Sequence, residues 1–206
     1  FSHADREIVQ HCQLAVEQLK GMNASLHDIE IEALNLQRIA HVVTISSEMR
    51  AAVDTVHREK TDELALDTRL ILALSKLFSG KDYVKAQQIR SLAIEEFERV
   101  FQRVDIVVTP TTGITAPTIK NPFRDNAESS LRITTELMRF SFSTNLAGLP
   151  SLTLPVGYDR KGLPIGLQLI SKPWQEHLLL RVGRALESVI KKRPGELAFD
   201  LLASIQ

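Results

Sequence analysis

The sequence predicts an α/β fold whose amino half is rich in helix and whose carboxy half carries the strands. Three observations support this prediction. Apolar residues recur at helical spacing through most of the first hundred residues. A β-branched run, Asp105-Ile-Val-Val-Thr109, then indicates a strand that is buried on both faces. Two further strand patterns lie on either side of Gly157-Tyr-Asp-Arg-Lys-Gly162, which has the composition of a hairpin turn.

Four helices are predicted in the amino half from the spacing of their apolar residues. Asp5 is a candidate N-cap of the first helix and Gly21 lies just beyond its end, while Asp82 is a candidate cap of the fourth. A weak alternation after the first helix predicts a short strand over His27–Ile31. The four predicted helices cover Asp5–Leu19, Ala33–Val53, Asp62–Phe78 and Asp82–Phe101.

The carboxy half alternates between strand and helix patterns. The Pro110-Thr-Thr-Gly113 turn follows a strand that we predict to be central, at the end where α/β sheets commonly place their sites. We expect strands from upstream to complete the sheet, because three or four short strands form a poor sheet by themselves. The other predicted elements are a hydroxyl-rich helix over Leu131–Leu146, strands over Ser151–Val156 and Pro164–Ser171, and an amphipathic helix over Gln175–Lys191.

Charge and cysteine content exclude several classes of protein. The chain has 25 basic and 25 acidic residues, so its net charge draws it neither to nucleic acid nor to an anionic membrane. Lys191-Lys192-Arg193 is interpreted as a solvated helix end. The single cysteine, Cys12, excludes an internal disulfide and is predicted to be a buried thiol. No apolar run approaches the ~20 residues that span a bilayer.

Motifs for phosphate, metal and triad chemistry are absent from the sequence. It contains no GxGxxG, GxxxxGK[ST], GxSxG or HExxH pattern. His3, His11 and His27 are interpreted as surface or core histidines, and Glu95, Glu96 and Glu98 as the solvated face of a helix. No catalytic residue, metal ligand or cofactor is therefore assigned.

Three spaced blocks carry a resemblance to a known family. They are Asp105-Ile-Val-Val-Thr-Pro-Thr-Thr112, Asn145-Leu-Ala-Gly-Leu-Pro-Ser-Leu-Thr-Leu-Pro-Val-Gly157 and Gly162-Leu-Pro-Ile-Gly-Leu-Gln-Leu-Ile170. In order and spacing they resemble the carboxy-terminal portion of the amidase signature family. The runs Ala40–Met49, Thr134–Phe140 and Lys172–Arg181 are most similar to the fatty acid amide hydrolases of plants within that family.

The resemblance implies a mixed β-sheet flanked by many helices, in which residues 1–206 form the carboxy-terminal part of a single domain. The chain begins at Phe1 rather than Met, so we expect it to be a truncated or processed part of a longer protein. The family hydrolyses amides with a serine nucleophile, a second serine and a lysine base, all upstream of the region that this chain resembles. No Gly-Gly-Ser-Ser-Gly stretch occurs here, so we expect the isolated chain to be inactive.

The resemblance also suggests which residues contact substrate. Met138, Phe142 and Trp174 are candidates for the wall of an acyl channel, and Thr112 is a candidate for orienting the substrate. The alternatives remain open: the apolar side chains are also typical of a core, and Thr112 of an ordinary turn.

The resulting functional hypothesis is a serine amidase acting on fatty acid amides of the N-acylethanolamine type, in which this part supplies fold core and channel walls. Two alternatives stay open. One is another amidase, or a protein like the amidotransferase subunit that releases ammonia from glutamine; the other is a truncated, non-catalytic binding or dimerisation module. The expected partner is a lipid amide substrate. We expect neither binding to nucleic acid nor a cofactor. By resemblance we expect an intracellular protein. Peripheral contact with an internal membrane and formation of a homodimer are left open.

Overall fold

The computed structural model describes residues 2–56, 60, 63–118 and 130–190, and these contain seven helices and three strands. The α/β prediction, helix-rich first and strand-containing later, is confirmed. In chain order the elements are α1 Arg6–Gly21, α2 Leu34–Val56, α3 Leu66–Ser75, α4 Gly80–Val100, β1 Val107–Pro110, α5 Leu131–Met138, α6 Phe142–Ala147, β2 Ser151–Tyr158, β3 Pro164–Ile170 and α7 Glu176–Val189.

The three described strands form an antiparallel sheet in the order β1-β3-β2. The predicted hairpin is confirmed, with β2 paired to β3 from Ser151 opposite Ile170 to Tyr158 opposite Pro164. The prediction of a central position for the first strand is wrong for the described sheet, because β3 lies in the middle and β1 at one side. β1 pairs with β3 from Val107 opposite Ile170 to Pro110 opposite Leu167.

Helices cover both faces of this sheet. On one face α1 and α7 bury the alternate residues Ile165, Leu167 and Leu169 of β3, which are at most 1% exposed. Cys12 belongs to this core, which confirms the predicted buried thiol. On the other face, residues from α4, α6 and the sheet form a second core, which contains Phe97, Val100, Phe101, Val107, Ala147 and Ile170. α2 then packs against α4 and α6.

Four predictions for the amino half differ from the structure. α3 begins at Leu66 and ends at Ser75, and residue 62 lies outside the described residues. Ser79, not Asp82, caps α4; the two side chains form a reciprocal capping box in which Asp82 is the third helical residue. Gly21 is the last residue of α1 rather than the residue beyond it. Residues 27–31 form no strand, because they have no strand partner among the described residues.

The predicted single helix over residues 131–146 is divided into α5 and α6. Hydroxyl groups explain the break, because they bond to backbone carbonyls at the junction. The Ser141 hydroxyl donates to the carbonyl of Met138 at 3.2 Å, and the Thr144 hydroxyl donates to the carbonyl of Ser141 at 2.9 Å. Phe142 then begins a new helix.

Glu96 is buried, contrary to the prediction that it belongs to a solvated helix face. It is 8% exposed, whereas Glu95 and Glu98 are less buried, as expected. Its carboxylate accepts hydrogen bonds from the backbone N–H of Glu32 and from the side-chain amide of Gln37. The predicted cationic helix end, residues 191–193, lies outside the described residues.

Candidate functional site: a groove beside strand β1

A cavity of about 1280 Å³ runs along the outer side of β1. One wall comes from α1 and α7 through Val16, Leu19 and Val182, and the opposite wall comes from α4 and α6 through Phe97 and Phe142. The floor is β1 itself, and the irregular segment after α1 closes the far side. The groove therefore lies between the same two helix layers that sandwich the sheet.

Two buried hydroxyl groups in this groove have no hydrogen-bond partner among the described residues. They belong to Thr109 at the carboxyl end of β1 and Ser143 in the first turn of α6. Thr109 lies opposite Gln168 in the sheet, and the Gln168 side chain reaches the carbonyl of Phe140 at 3.4 Å. An unpaired buried hydroxyl costs about 1–3 kcal/mol. Both groups therefore favour a polar neighbour that the described residues do not supply.

The turn after β1 is fixed by close packing around Gly166 of β3. The backbone N–H of Thr111 donates to the carbonyl of Gly166 at 2.9 Å, and the Thr111 hydroxyl donates to that of Thr153 at 3.3 Å. A Cβ atom at residue 166 would lie 2.6 Å from the Thr111 hydroxyl oxygen, so only glycine allows this contact. The turn then reaches α5, where the N–H of Gly113 donates to the carbonyl of Glu136 at 2.9 Å.

Arg139 provides a charged group at the groove, but its charge is already paired. Its Nε donates to Glu136 Oε2 at 3.0 Å, and its Nη2 also bonds Glu136 Oε1. Both side chains are about a quarter exposed, at 28% and 25%. This bidentate pair neutralises the guanidinium, so this part of the groove carries little net charge.

The structure brings only one of the four predicted substrate-binding residues to the groove. Phe142 is 8% exposed and forms part of the wall. Met138 ends α5 and is partly buried, outside the groove lining. Thr112 is also outside the lining, and its hydroxyl donates to the carbonyl of Ile114 at 2.7 Å within the turn. Trp174 is 86% exposed and adopts a left-handed backbone conformation with φ of 66°.

Sequence reasoning missed Thr109, Ser143 and Arg139 as groove residues. The signal that was available is the density of hydroxyl residues between positions 134 and 145, which exceeds that of an ordinary helix. The lack of described partners at Thr109 and Ser143 depends on packing and is invisible in the sequence.

Shifted pKa values occur outside the groove. Burial raises the pKa of the Cys12 thiol to about 12, and burial lowers the pKa of His41. Among the residues that the structure describes, no cluster of His, Cys, Asp and Glu is arranged to hold a metal ion. Within the same residues, no helix combines the length and apolar character needed to cross a membrane.

Comparisons with known proteins agree with this architecture of a helix-covered sheet. The family model described as amidase matches residues 3–180. A fatty acid amide hydrolase of Oryza sativa subsp. indica is 42% identical over 203 residues, which are 97% of this chain and 33% of that protein. A glutamyl-tRNA(Gln) amidotransferase subunit of Prochlorococcus marinus is 30% identical over 91% of this chain and 43% of its own length.

A solved amidase structure superposes with a TM-score of 0.75 at 19% identity, covering 92% of this chain and 43% of that one. At this identity the superposition shows a shared fold. The fold and the family model together define the class, and the chain belongs to the amidase family. The chain spans about a third of the length of the rice fatty acid amide hydrolase that it matches.

Proposed function

We propose that this chain is the carboxy-terminal part of a single amidase domain that hydrolyses fatty acid amides of the N-acylethanolamine type. The observation that carries the proposal is the 42% identity to the rice fatty acid amide hydrolase over 97% of the chain. In this proposal the chain supplies fold core and channel walls, and the catalytic groups come from the remainder of the domain.

Exposed apolar side chains support membership of a larger domain. On α2, Leu36, Ile39, Val42 and Ile45 are between 41% and 56% exposed. On α3, Leu66, Leu70, Ile71 and Leu74 are between 40% and 53% exposed. A helix with apolar residues on all sides is typical of the interior of a larger protein. These surfaces are therefore proposed to pack against the rest of the amidase domain.

The exposure of the described lysines supports the proposal that the catalytic base lies in the remainder of the domain. A lysine acts as a base at neutral pH only when desolvation or a neighbouring cation lowers its pKa. Every lysine in the part of the chain that the structure describes is exposed: Lys20, Lys60, Lys76, Lys81, Lys85, Lys161 and Lys172. The isolated chain is accordingly proposed to be inactive towards amides.

The groove supports an acyl substrate through its apolar wall. Phe142 presents a buried aromatic ring, and the cation of Arg139, which also lines the groove, is neutralised by Glu136. An acyl chain gains free energy from such a wall, since burial of apolar surface contributes about 25 cal/mol per Å². We also propose that Met138, Trp174 and Thr112 contact the substrate once the whole domain is assembled.

The second candidate is glutamine hydrolysis, which the identity to the Prochlorococcus amidotransferase subunit favours. Glutamine carries an ammonium and a carboxylate, and a site for it needs fixed charges of both signs. Charges of both signs do line the groove, among them Asp28, Arg38 and Arg181, but the identity to this subunit is 30%, against 42% to the rice hydrolase, so we rank this candidate second.

The test uses a protein that contains this chain and the remaining two thirds of the domain. Release of ethanolamine from a long-chain N-acylethanolamine is compared with release of ammonia from glutamine and from a short aliphatic amide. The proposal expects the long-chain amide to have the highest kcat/KM, and the chain alone to release neither product. A complete domain that prefers glutamine would support the second candidate, and one that hydrolyses none of the three would support a non-catalytic module.

A further inference from the structure

The ion pair between Glu136 and Arg139 lies at the boundary between the groove and helix α5. Arg139 lines the groove, whereas Glu136 lies outside the lining. The two residues are three apart in sequence at the end of α5, and the guanidinium bonds both oxygens of the carboxylate. Glu136 therefore cancels the charge of a groove residue without itself lining the groove.

The turn after β1 holds this pair in place through Gly113. The backbone N–H of Gly113 donates to the carbonyl of Glu136 at 2.9 Å, and its carbonyl accepts from the N–H of Asp5 at 2.8 Å. A Cβ atom at residue 113 would lie 3.1 Å from Oε2 of Glu136 and 3.3 Å from Nε of Arg139, so both charged groups lie directly against this glycine. A bidentate pair that is packed in this way keeps its geometry better than a pair of free surface side chains.

The wall of the groove around the pair is apolar. Phe142, only 8% exposed, lines the groove close to Arg139 in sequence. Other charged lining residues, among them Arg38, Asp28 and Arg181, lie on other elements. Asp28 and Arg181 are exposed, so solvent screens their charges, whereas the side chain of Arg139 is 28% exposed. The charge state of the Glu136–Arg139 pair therefore decides how polar this wall is towards an acyl chain.

The charge of this wall matters because the proposed reaction starts from a neutral substrate and ends with an anion. Hydrolysis adds water across the amide bond and gives a fatty acid and an amine, and the acid loses its proton at neutral pH. A free guanidinium binds a carboxylate through charge-assisted hydrogen bonds, which are among the strongest in proteins. An unmasked Arg139 would hold the acid in the groove, where it would compete with the neutral amide.

We infer that Glu136 is a specificity-determining residue, which masks Arg139 and so keeps the groove selective for uncharged acyl chains over long-chain carboxylates. The inference rests on the proposed function, and it adds the residue that discriminates between the neutral substrate and the anionic product. Glu136 acts through Arg139 and does not itself line the groove. A long-chain carboxylate would have to displace Glu136 before Arg139 could bind it.

Binding of decanoate and of decan-1-ol to the complete domain tests this inference, because the two molecules share a chain length and differ in charge. Calorimetry at neutral pH gives the dissociation constants, and inhibition of long-chain amide hydrolysis gives a second measure. Glu136→Gln keeps the size of the side chain and removes its charge. In this variant decanoate should bind roughly 10- to 100-fold more tightly, and the affinity for decan-1-ol should change by less than about twofold. In the double variant with Arg139→Gln, the gain for decanoate should disappear.

Glu187→Gln is the matched control. It changes the net charge by the same amount and removes the charge from another pair with spacing of three, between Glu187 and Arg184 on α7, and neither residue lines the groove. It should leave both affinities unchanged. An unchanged decanoate affinity in Glu136→Gln, an equal gain for decan-1-ol, or a gain that survives in the double variant would each overturn the inference.

The binding and hydrolysis measurements separate this inference from the proposed function. A domain that hydrolyses no fatty acid amide, but binds decanoate more tightly in Glu136→Gln, would support the masking and contradict the proposed substrate. A domain that hydrolyses long-chain amides, with equal decanoate affinity in both forms, would support the substrate and contradict the masking. Failure of decanoate to bind any of the variants would also overturn the inference.

Discussion

The side-chain amide of Gln37 donates a hydrogen bond to the carboxylate of Glu96 at 3.2 Å, and both side chains are buried. The same amide donates to the carbonyl of Glu32 at 3.1 Å, while the N–H of Glu32 donates back to Glu96. One carboxylate on α4 therefore holds the start of α2 and the end of the segment that borders the groove. The position of this wall depends on a polar contact inside an otherwise apolar region.

Replacing Glu96 by Ala is expected to destabilise the protein by about 1–3 kcal/mol, because the Glu32 N–H and the Gln37 amide lose their acceptor. Urea unfolding measures the change. Glu98→Ala is the matched control on the same helix, and as an exposed position it should change the free energy of unfolding by no more than about 0.5 kcal/mol. Equal changes in the free energy of unfolding would show that the hydrogen bonds of the buried carboxylate do not stabilise the fold.

The burial of Glu96 could be predicted from helical spacing, but its hydrogen-bond partners could not. Ala93 and Val100, three residues before and four after it, are buried on the same helix, so helical spacing alone placed Glu96 on the inner face. Its charge led to the opposite prediction, since glutamate is rarely buried without a partner. The partners are a backbone N–H and an amide some sixty residues away in sequence, at separations of 64 and 59. No local pattern reveals such a contact.

For the strands and the substrate residues as well, local features could be predicted from the sequence, whereas contacts between distant parts of the chain could not. The hairpin β2–β3 was predictable because alternation and turn composition are local properties. The strand expected over residues 27–31 has the right side-chain pattern, but a strand exists only with a partner, and pairing is not local. Phe142 was one of several apolar candidates for the wall of the acyl channel, and it does line the groove. That the hydroxyls of Thr109 and Ser143 have no hydrogen-bond partner within the described ranges was not predictable, because it follows from packing.

Gly157 allows α1 to approach β2, and substituting it tests that contact. A Cβ atom at this position would lie 2.2 Å from Nδ1 of His11, far inside normal contact distance. Gly157→Ala is therefore expected to cost about 1–3 kcal/mol in the free energy of unfolding. His11→Ala should recover most of this loss when it is combined with Gly157→Ala, giving a coupling energy in a double-mutant cycle. Additive effects of the two changes would contradict the close contact.

Asp159 predicts how stability depends on pH. Hydrogen bonds from the backbone N–H of Leu163, the hydroxyl of Thr115 and the N–H of Lys161 lower the pKa of its carboxyl group, although partial desolvation opposes them. A lowered pKa in the folded state means that the charged form stabilises the fold at neutral pH. This stabilisation is complete above the pKa of an unfolded aspartate and is lost as the pH falls through the lowered value.

Asp159→Asn should therefore have a lower Tm than the unmodified protein at neutral pH, and the two Tm values should converge as the solution is acidified. Thermal unfolding at a series of pH values measures the difference. Asp28→Asn, at an exposed position outside the hairpin, serves as the control. A Tm difference that stays constant across the acid range would show that the hydrogen bonds, and not the charge, supply the stabilisation.

Phe142 tests the proposed acyl wall in the complete domain. Replacing it by Ala removes a buried aromatic surface from the groove and is expected to cost about 1–3 kcal/mol of binding to a long acyl chain. The ratio of kcat/KM for a long-chain amide to that for a short amide should then fall roughly 5- to 150-fold. The ratio is the correct quantity, because any loss of folded protein lowers both rates equally. Leu146→Ala provides the matched control, since Leu146 is 3% exposed on the same helix but does not line the groove. It should lower stability and leave the ratio unchanged; an equal fall in both variants would place the acyl chain elsewhere.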